Sequence, residues 1–257
     1  MFDQITLPNG LRVVGEKLGH IHSCTVGVWV KVGSVNELPE ENGLSHFIEH
    51  MVFKGTGRRS AGDLAREMDA IGGQVNAYTT KEHTCFYARC LDEHLDRAAD
   101  LLLDMLFSSR FDQSDVEMER GVVLEEIGMY EDAPEDLVSE RLAAVVYKGS
   151  PLARPILGKA STLTPMTGQW LKAWQKEHYR PGNIVVSLAG SFTQRQLDDL
   201  CARLSQLEAG PAPTTRPAAY RPAVTAKRKA IEQNHLLLAF PAPNYLDPRR
   251  YQIQLMN

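Results

Sequence analysis

Thr25-Val-Gly-Val-Trp-Val-Lys-Val32 alternates with a period of two, and Asn42-Gly-Leu-Ser-His46-Phe-Ile-Glu49-His50-Met-Val-Phe53 then changes to a helical period. The first stretch, rich in β-branched residues, reads as a half-buried strand. The second reads as a helix running from Asn42 to about Phe53 and stopped by Gly55. Upstream, Asn9-Gly10 separates two short apolar runs, which marks a hairpin turn. Downstream, Ser60 with Asp63 forms a capping-box pattern for a helix to about Ile71, broken by Gly72-Gly73. Two strands follow, Gln74–Thr79 and Thr84–Leu91, joined by a polar Lys81-Glu82 turn. Leu95, Ala98, Ala99, Leu102, Leu103 and Leu106 then recur at helical spacing on one face. A long helix is expected over Asp112–Asp132, and another from Pro134 to about Val146. A helix from Thr164-Pro165 to His178, an apolar strand Asn183–Ala189 and a helix Gln194–Leu207 complete the pattern. Strands and helices are mixed without strict βαβ alternation, so the class is α+β.

The composition shifts at Ala209–Pro222, where Pro211, Pro213, Pro217 and Pro222 make a semi-rigid linker. A strand (Ile231–Phe240) and a helix start (Asp247-Pro248) lie beyond it, in a segment too short to bury a core of its own. The expected organisation is one complete domain over residues 1–208, a linker over 209–222, and over 223–257 the truncated start of a second.

The 257 residues are 43% apolar and 23% charged with a net charge of −4, an ordinary globular composition that excludes disordered and fibrous classes. No basic field invites nucleic acid, and no Lys/Arg run points to a membrane surface. No apolar run is long enough to span a bilayer and no leader pattern opens the chain, so a cytoplasmic location is expected. Cys24, Cys85, Cys90 and Cys201 are scattered and read as buried thiols in a reducing compartment.

The chemistry is concentrated in His46-Phe-Ile-Glu49-His50. Histidines four apart on a helix lie about 40° from each other around the axis, so two imidazoles can hold one ion. Glu49 falls on the same side, beside the ion without being needed as a ligand, which suits a general base for a metal-bound water. This is the H-x-x-E-H arrangement. The bland alternative is a pair of helix-surface histidines with a solvated glutamate.

A catalytic zinc usually takes three protein ligands. Glu119-Arg-Gly-Val-Val-Leu-Glu-Glu126 offers the third, because Glu119 and Glu126 stack on one helical stripe. Val122, Val123 and Ile127 between and beside them imply a closely packed helix. One carboxylate can be a ligand and the other can orient a histidine from behind. Spacing alone does not choose between Glu125 and Glu126.

Gly43 to Thr56, which carries that motif, resembles the active-site helix of the pitrilysin family of zinc metallopeptidases. Within that family the chain resembles the β subunit of mitochondrial processing peptidase and its bacterial homologues. Asn76-Ala-Tyr-Thr with Glu82-His-Thr, the Glu119–Glu126 segment, Tyr179-Arg-Pro-Gly-Asn183 and Gly190 match as well, so the resemblance covers essentially the whole chain. It implies one zinc per chain on His46, His50 and Glu126, the glutamate 76 residues after the second histidine. It gives Glu49 the activation of water and Glu119 the role of second glutamate. It makes Gln74–Thr79 an edge strand that pairs with extended peptides, with Asn76 and Ala77 touching the substrate. β-augmentation of this kind suits broad peptide specificity.

The resemblance further implies a two-layer α/β sandwich with a mostly antiparallel sheet, and a homologous second half closing around a chamber. The expected function is a zinc metalloendopeptidase acting on extended or unfolded peptides, with the second half as intramolecular partner and a homo-oligomer as the expected assembly. The rival is a non-catalytic zinc-binding, scaffold or partner subunit, against which the complete set of four metal-site residues argues. His20, His22, His83, His94, His178 and His235 have no partner at ligand spacing and read as structural or surface groups. Trp29, Trp170 and Trp174 read as core. Ser45 and Ser187 lack a nucleophile-elbow context, which removes a serine hydrolase.

Overall fold

In the computed structural model, residues 3–210 and 218–256 are described. The first two strands, β1 (Asp3–Thr6) and β2 (Arg12–Lys17), form the expected hairpin, with Gly10 in the left-handed region at φ 89°. Strand β3 (Ser23–Val30) leads into helices α1 (Leu44–Met51) and α2 (Ala61–Ile71). Ser60 and Asp63 cap α2 reciprocally, and Gly72 at φ 64° ends it. Strands β4 (Gln74–Thr79) and β5 (Thr84–Leu91) lie where the alternation puts them. Helices α3 (Leu95–Phe107), α4 (Gln113–Asp132) and α5 (Pro134–Val146) follow, then a short α6 (Ala160–Leu163), α7 (Gly168–His178), β6 (Ile184–Gly190) and α8 (Gln194–Leu204). A last helix, α9, covers Arg250–Met256.

The six strands form one sheet in the order β1-β2-β6-β3-β5-β4, antiparallel at every pairing except the parallel β2–β6 pair. The class is α+β, a two-layer sandwich. Val26, Val28, Val30, Phe86, Ala88, Val186 and Leu188 project from one face of the sheet into the core. Leu44, Phe47, Ile48 and Met51 of α1 and Leu102, Met105 and Leu106 of α3 meet them there. Each side chain of this size stabilises the fold by about 1.5–3 kcal/mol when fully buried. Because strand side chains alternate, the other face carries the odd positions of β3 and their neighbours.

That alternation corrects the expectation for Trp29. The ring lies on the open face, 38% exposed, with Nε1 donating to Ser187 Oγ at 3.0 Å across Gly27. Trp174 is in the core as expected, and Trp170 is half-buried against it. Cys85 and Cys90 face opposite sides, Cys90 alone of the two joining the core cluster, and all four cysteines are free. Val122, expected to pack, is 48% exposed, so α4 is held through Val116 and Val123 instead. Helix α7 begins at Gly168 rather than at Thr164, because Thr167 Oγ1 accepts the Trp170 N–H and sets the N-terminus there.

Pro211, Pro213 and Pro217 of the linker lie outside the described residues. From 218 to 249 there is no helix or strand among the described residues, so Ile231–Phe240 is not a strand. A strand exists only through its ladder, and no described strand pairs with this segment; Phe240 stays 78% exposed. No described helix is long and apolar enough to cross a membrane.

Candidate metal centre

Helix α1 starts abruptly because Gly43 adopts φ 100°, a conformation that side chains disfavour. The exposed N–H groups of its first turn are taken up by a buried carboxylate. Glu37 Oε2 accepts from Gly43 N at 2.9 Å and from Asn42 Nδ2 at 3.1 Å, and Oε1 accepts from Ser45 N at 2.8 Å. Negative charge at a helix N-terminus is favourable. A Cβ on Gly43 would stand 2.7 Å from Leu157 O, so the helix end is set tightly against the 157–158 backbone.

The 3.6-residue period then places His46 and His50 one turn apart, their rings 4.6 Å between centroids at 63°. Helix α4 packs on α1 and brings Glu126 to them. Glu126 Oε2 is 3.6 Å from His46 Nε2 and 3.5 Å from His50 Nε2. All three donors lie within 4.8 Å of one another. Zinc arms of about 2.0–2.1 Å at tetrahedral angles put donors about 3.3–3.4 Å apart, close to the two edges that Glu126 makes with the histidines, so two imidazoles and a carboxylate in this arrangement fit the ion. Glu125 is exposed, and the structure brings Glu126, not Glu125, to the histidines.

Glu119 sits one α4 stripe position earlier and is only 6% exposed. Its Oε1 is 2.8 Å from His50 Nδ1, and its Oε2 is 2.5 Å from Lys54 Nζ. A carboxylate accepts, so Nδ1 carries the hydrogen and Nε2 keeps its lone pair for a metal. His46 Nδ1 is buried with no hydrogen-bond partner among the described residues, leaving Nε2 as its polar edge toward Glu126.

Glu49 stands between the histidines and the sheet. Its Oε2 accepts from Thr79 Oγ1 at 2.5 Å, where Thr79 is the last residue of β4. β4 is an edge strand, paired with β5 on one side. The Ala77 N–H is bound by Asn76 Oδ1 at 2.8 Å, outside the β5 ladder, which locates Asn76 and Ala77 on that edge. His46, Glu49, Tyr78, Thr79, Glu126 and Leu157 line a cavity of about 780 Å³.

The electrostatics follow from burial and proximity. Burial first, and then the neighbouring His50, push His46 down to about 4, so it is neutral at pH 7. Burial also opposes the charged form of His50, but hydrogen bonds to Glu126 and Glu119 outweigh it and raise its pKa. Burial raises Glu49 above the usual carboxylate range against the opposing Thr79 hydrogen bond. The His50 contact holds Glu126 below it.

Three groups at this centre were not singled out by sequence: Glu37, Lys54 and Thr79. Nothing in their spacing joins them to the histidines. Thr79 at the end of an edge strand and Lys54 just past the motif were the available signals. Of the remaining histidines, His83 bonds Thr80, and His178 stacks on Trp174.

Residues 12–160 match the sequence family described as Insulinase (Peptidase family M16), and residues 165–257 match Peptidase M16 inactive domain. The whole chain is 41% identical to the uncharacterized zinc protease YmxG of Bacillus subtilis, spanning 63% of that protein. It is 35% identical over 98% of its length to the probable mitochondrial-processing peptidase subunit beta of Arabidopsis thaliana, spanning 49% of it. The chain thus spans less than two thirds of the length of these relatives. Among solved structures, a protease from Helicobacter pylori superposes with a TM-score of 0.79 at 25% identity, over 86% of this chain and 54% of that one. The family match over most of the sequence places the chain in the M16 family of zinc peptidases.

Proposed function

We propose that the chain is the metal-bearing half of a zinc metalloendopeptidase that cleaves extended or unfolded peptides. The observation that carries this reading is the His46–His50–Glu126 donor set beside the Glu49 carboxylate, with His46, Glu126, Glu49 and the Tyr78–Thr79 end of edge strand β4 lining one cavity of about 780 Å³. One zinc per chain on these donors would polarise the scissile carbonyl and lower the pKa of its water toward about 7. Glu49 takes the proton of the attacking water on its carboxylate and delivers it to the leaving amine nitrogen, for which a raised carboxylate pKa is suited. Thr79 donates to Oε2 and anchors that oxygen at the end of β4. Glu119 keeps the His50 ring oriented from behind. The main chain at Asn76 and Ala77 pairs with the peptide, which fixes its direction without demanding a sequence.

Residues 1–208 form the metallopeptidase domain, 209–222 a linker, and 223–257 the opening of a homologous second half that supplies the other chamber wall. The exposed Leu236, Leu238 and Phe240 favour association, either with that second half or with another copy of the chain. Four free thiols suit a reducing compartment.

The test is zinc content and cleavage of an unstructured peptide, by this chain and by one extended through a second half. The extended chain should cleave in a zinc-dependent way that Glu49→Gln abolishes, and this chain should bind zinc and cleave poorly. Equal activity would show the second half to be dispensable. Zinc binding without any turnover in the extended chain would favour the scaffold or partner subunit.

A further inference from the structure

Lys54 lies outside α1, in a turn closed by its N–H to Met51 O at 3.1 Å. From there its ammonium reaches α4 and meets Glu119 Oε2 at 2.5 Å, while Oε1 of the same carboxylate faces His50 Nδ1 at 2.8 Å. A surface ion pair contributes little, because water replaces either partner. Glu119 has no such alternative: its side chain is 7% exposed, so an oxygen without a partner there is costly. The last torsion of a glutamate is broad and weakly restrained, so one hydrogen bond leaves the carboxylate plane free to swing. Two partners on its two oxygens fix that plane.

We propose that Lys54 is a positioning residue of the metal centre. By holding Glu119 Oε2 it fixes the direction of Oε1, and through it the His50 ring, so that Nε2 points at the space shared with His46 and Glu126. This rests on the reading of those three side chains as the metal donors. Lys54 touches none of the donors itself and acts only through Glu119. It also ties the turn after α1 to α4, the two elements whose crossing assembles the donor set.

The experiment measures zinc affinity of the full chain by chelator competition, together with the imidazole NMR signals of His50 in the zinc-loaded protein. Glu119→Gln should weaken zinc by about 10–100-fold, and Lys54→Met by about 10-fold, the lower end of that range. Lys54→Arg, which keeps a cation in reach, should recover most of the loss. The Nδ1–H signal of His50 should shift in Lys54→Met and return in Lys54→Arg, in step with the zinc affinity. Should Lys54→Met fold poorly, Lys54→Gln keeps a polar chain of similar reach without the charge and carries the same comparison. A Lys54→Met or Lys54→Gln protein with wild-type affinity and a wild-type His50 signal, beside a weakened Glu119→Gln, overturns the proposal for Lys54 alone. Undiminished zinc in His50→Ala would instead overturn the donor assignment beneath it.

Discussion

Deleting one donor while sparing the base beside it separates metal binding from chemistry. The edges from Glu126 to the two histidines, 3.5 and 3.6 Å, need to shorten by only about 0.2 Å to receive zinc. Binding energy at a site formed only in the folded chain should emerge as folding stability. With free zinc at about 100 times its dissociation constant, linkage adds about 2.7 kcal/mol. For a domain of this size each kcal/mol moves the unfolding midpoint by about 2–4 °C, so zinc should raise it by about 5–11 °C over the chelated protein. His50→Ala and Glu126→Gln should lose most of that rise. Glu49→Gln should keep it, because Glu49 faces Thr79 and contributes no donor to the triangle. The assay is thermal unfolding by circular dichroism with zinc or with chelator, alongside metal analysis. A full zinc-dependent rise in His50→Ala, or none in Glu49→Gln, would refute the assignment.

Other consequences reach the scaffold of the site. The buried Asp104 carboxylate receives Thr56 Oγ1 at 2.8 Å, Arg59 Nη1 at 2.7 Å and Arg58 Nε at 3.1 Å, tying the loop after α1 to α3. Asp104→Asn should cost about 1.5–3 kcal/mol in urea unfolding at pH 7, since it removes charge-assisted hydrogen bonds at a buried position while Arg58 and Arg59 keep Asp100 as a partner. Although burial opposes it, hydrogen bonds from Arg59, Thr56 and Arg58 lower the Asp104 pKa. Its stabilisation is therefore complete above the unfolded value of about 3.9 and is lost as pH falls through the folded one. The gap between Asp104→Asn and wild type should close in acid, and a gap that widened there would contradict this. Gly43→Ala should destabilise by at least about 1–3 kcal/mol, because φ 100° is strained for alanine and its Cβ meets immovable backbone at Leu157. A neutral Gly43→Ala in the same unfolding assay would show that the α1 N-terminus is not fixed as described.

The elements were largely legible because their signals are local. Asn9-Gly10, the Ser60–Asp63 capping box and the alternation of Gln74–Thr79 and Thr84–Leu91 each rest on contacts within a few residues, and the elements formed where those patterns stand. His46, Glu49 and His50 were legible for the same reason, since one helical turn joins them. Ile231–Phe240 was misread because a strand's energy is almost entirely in its neighbours, which an apolar run cannot declare. Trp29 was misread because a sequence states that a strand has two faces and not which of them helices cover.

The sequence by itself determined the α+β class, most of the helices and strands and the motif, all products of short-range periodicity and capping. Choosing Glu126 over Glu125 on physical grounds took the crossing of α4 over α1, because a one-residue step on a helix turns a carboxylate about 100° away. Only that tertiary packing also put Lys54 on Glu119 and Thr79 on Glu49. Those pairs lie 65 and 30 positions apart in the chain and meet because α4 packs on α1 and α1 packs on β4.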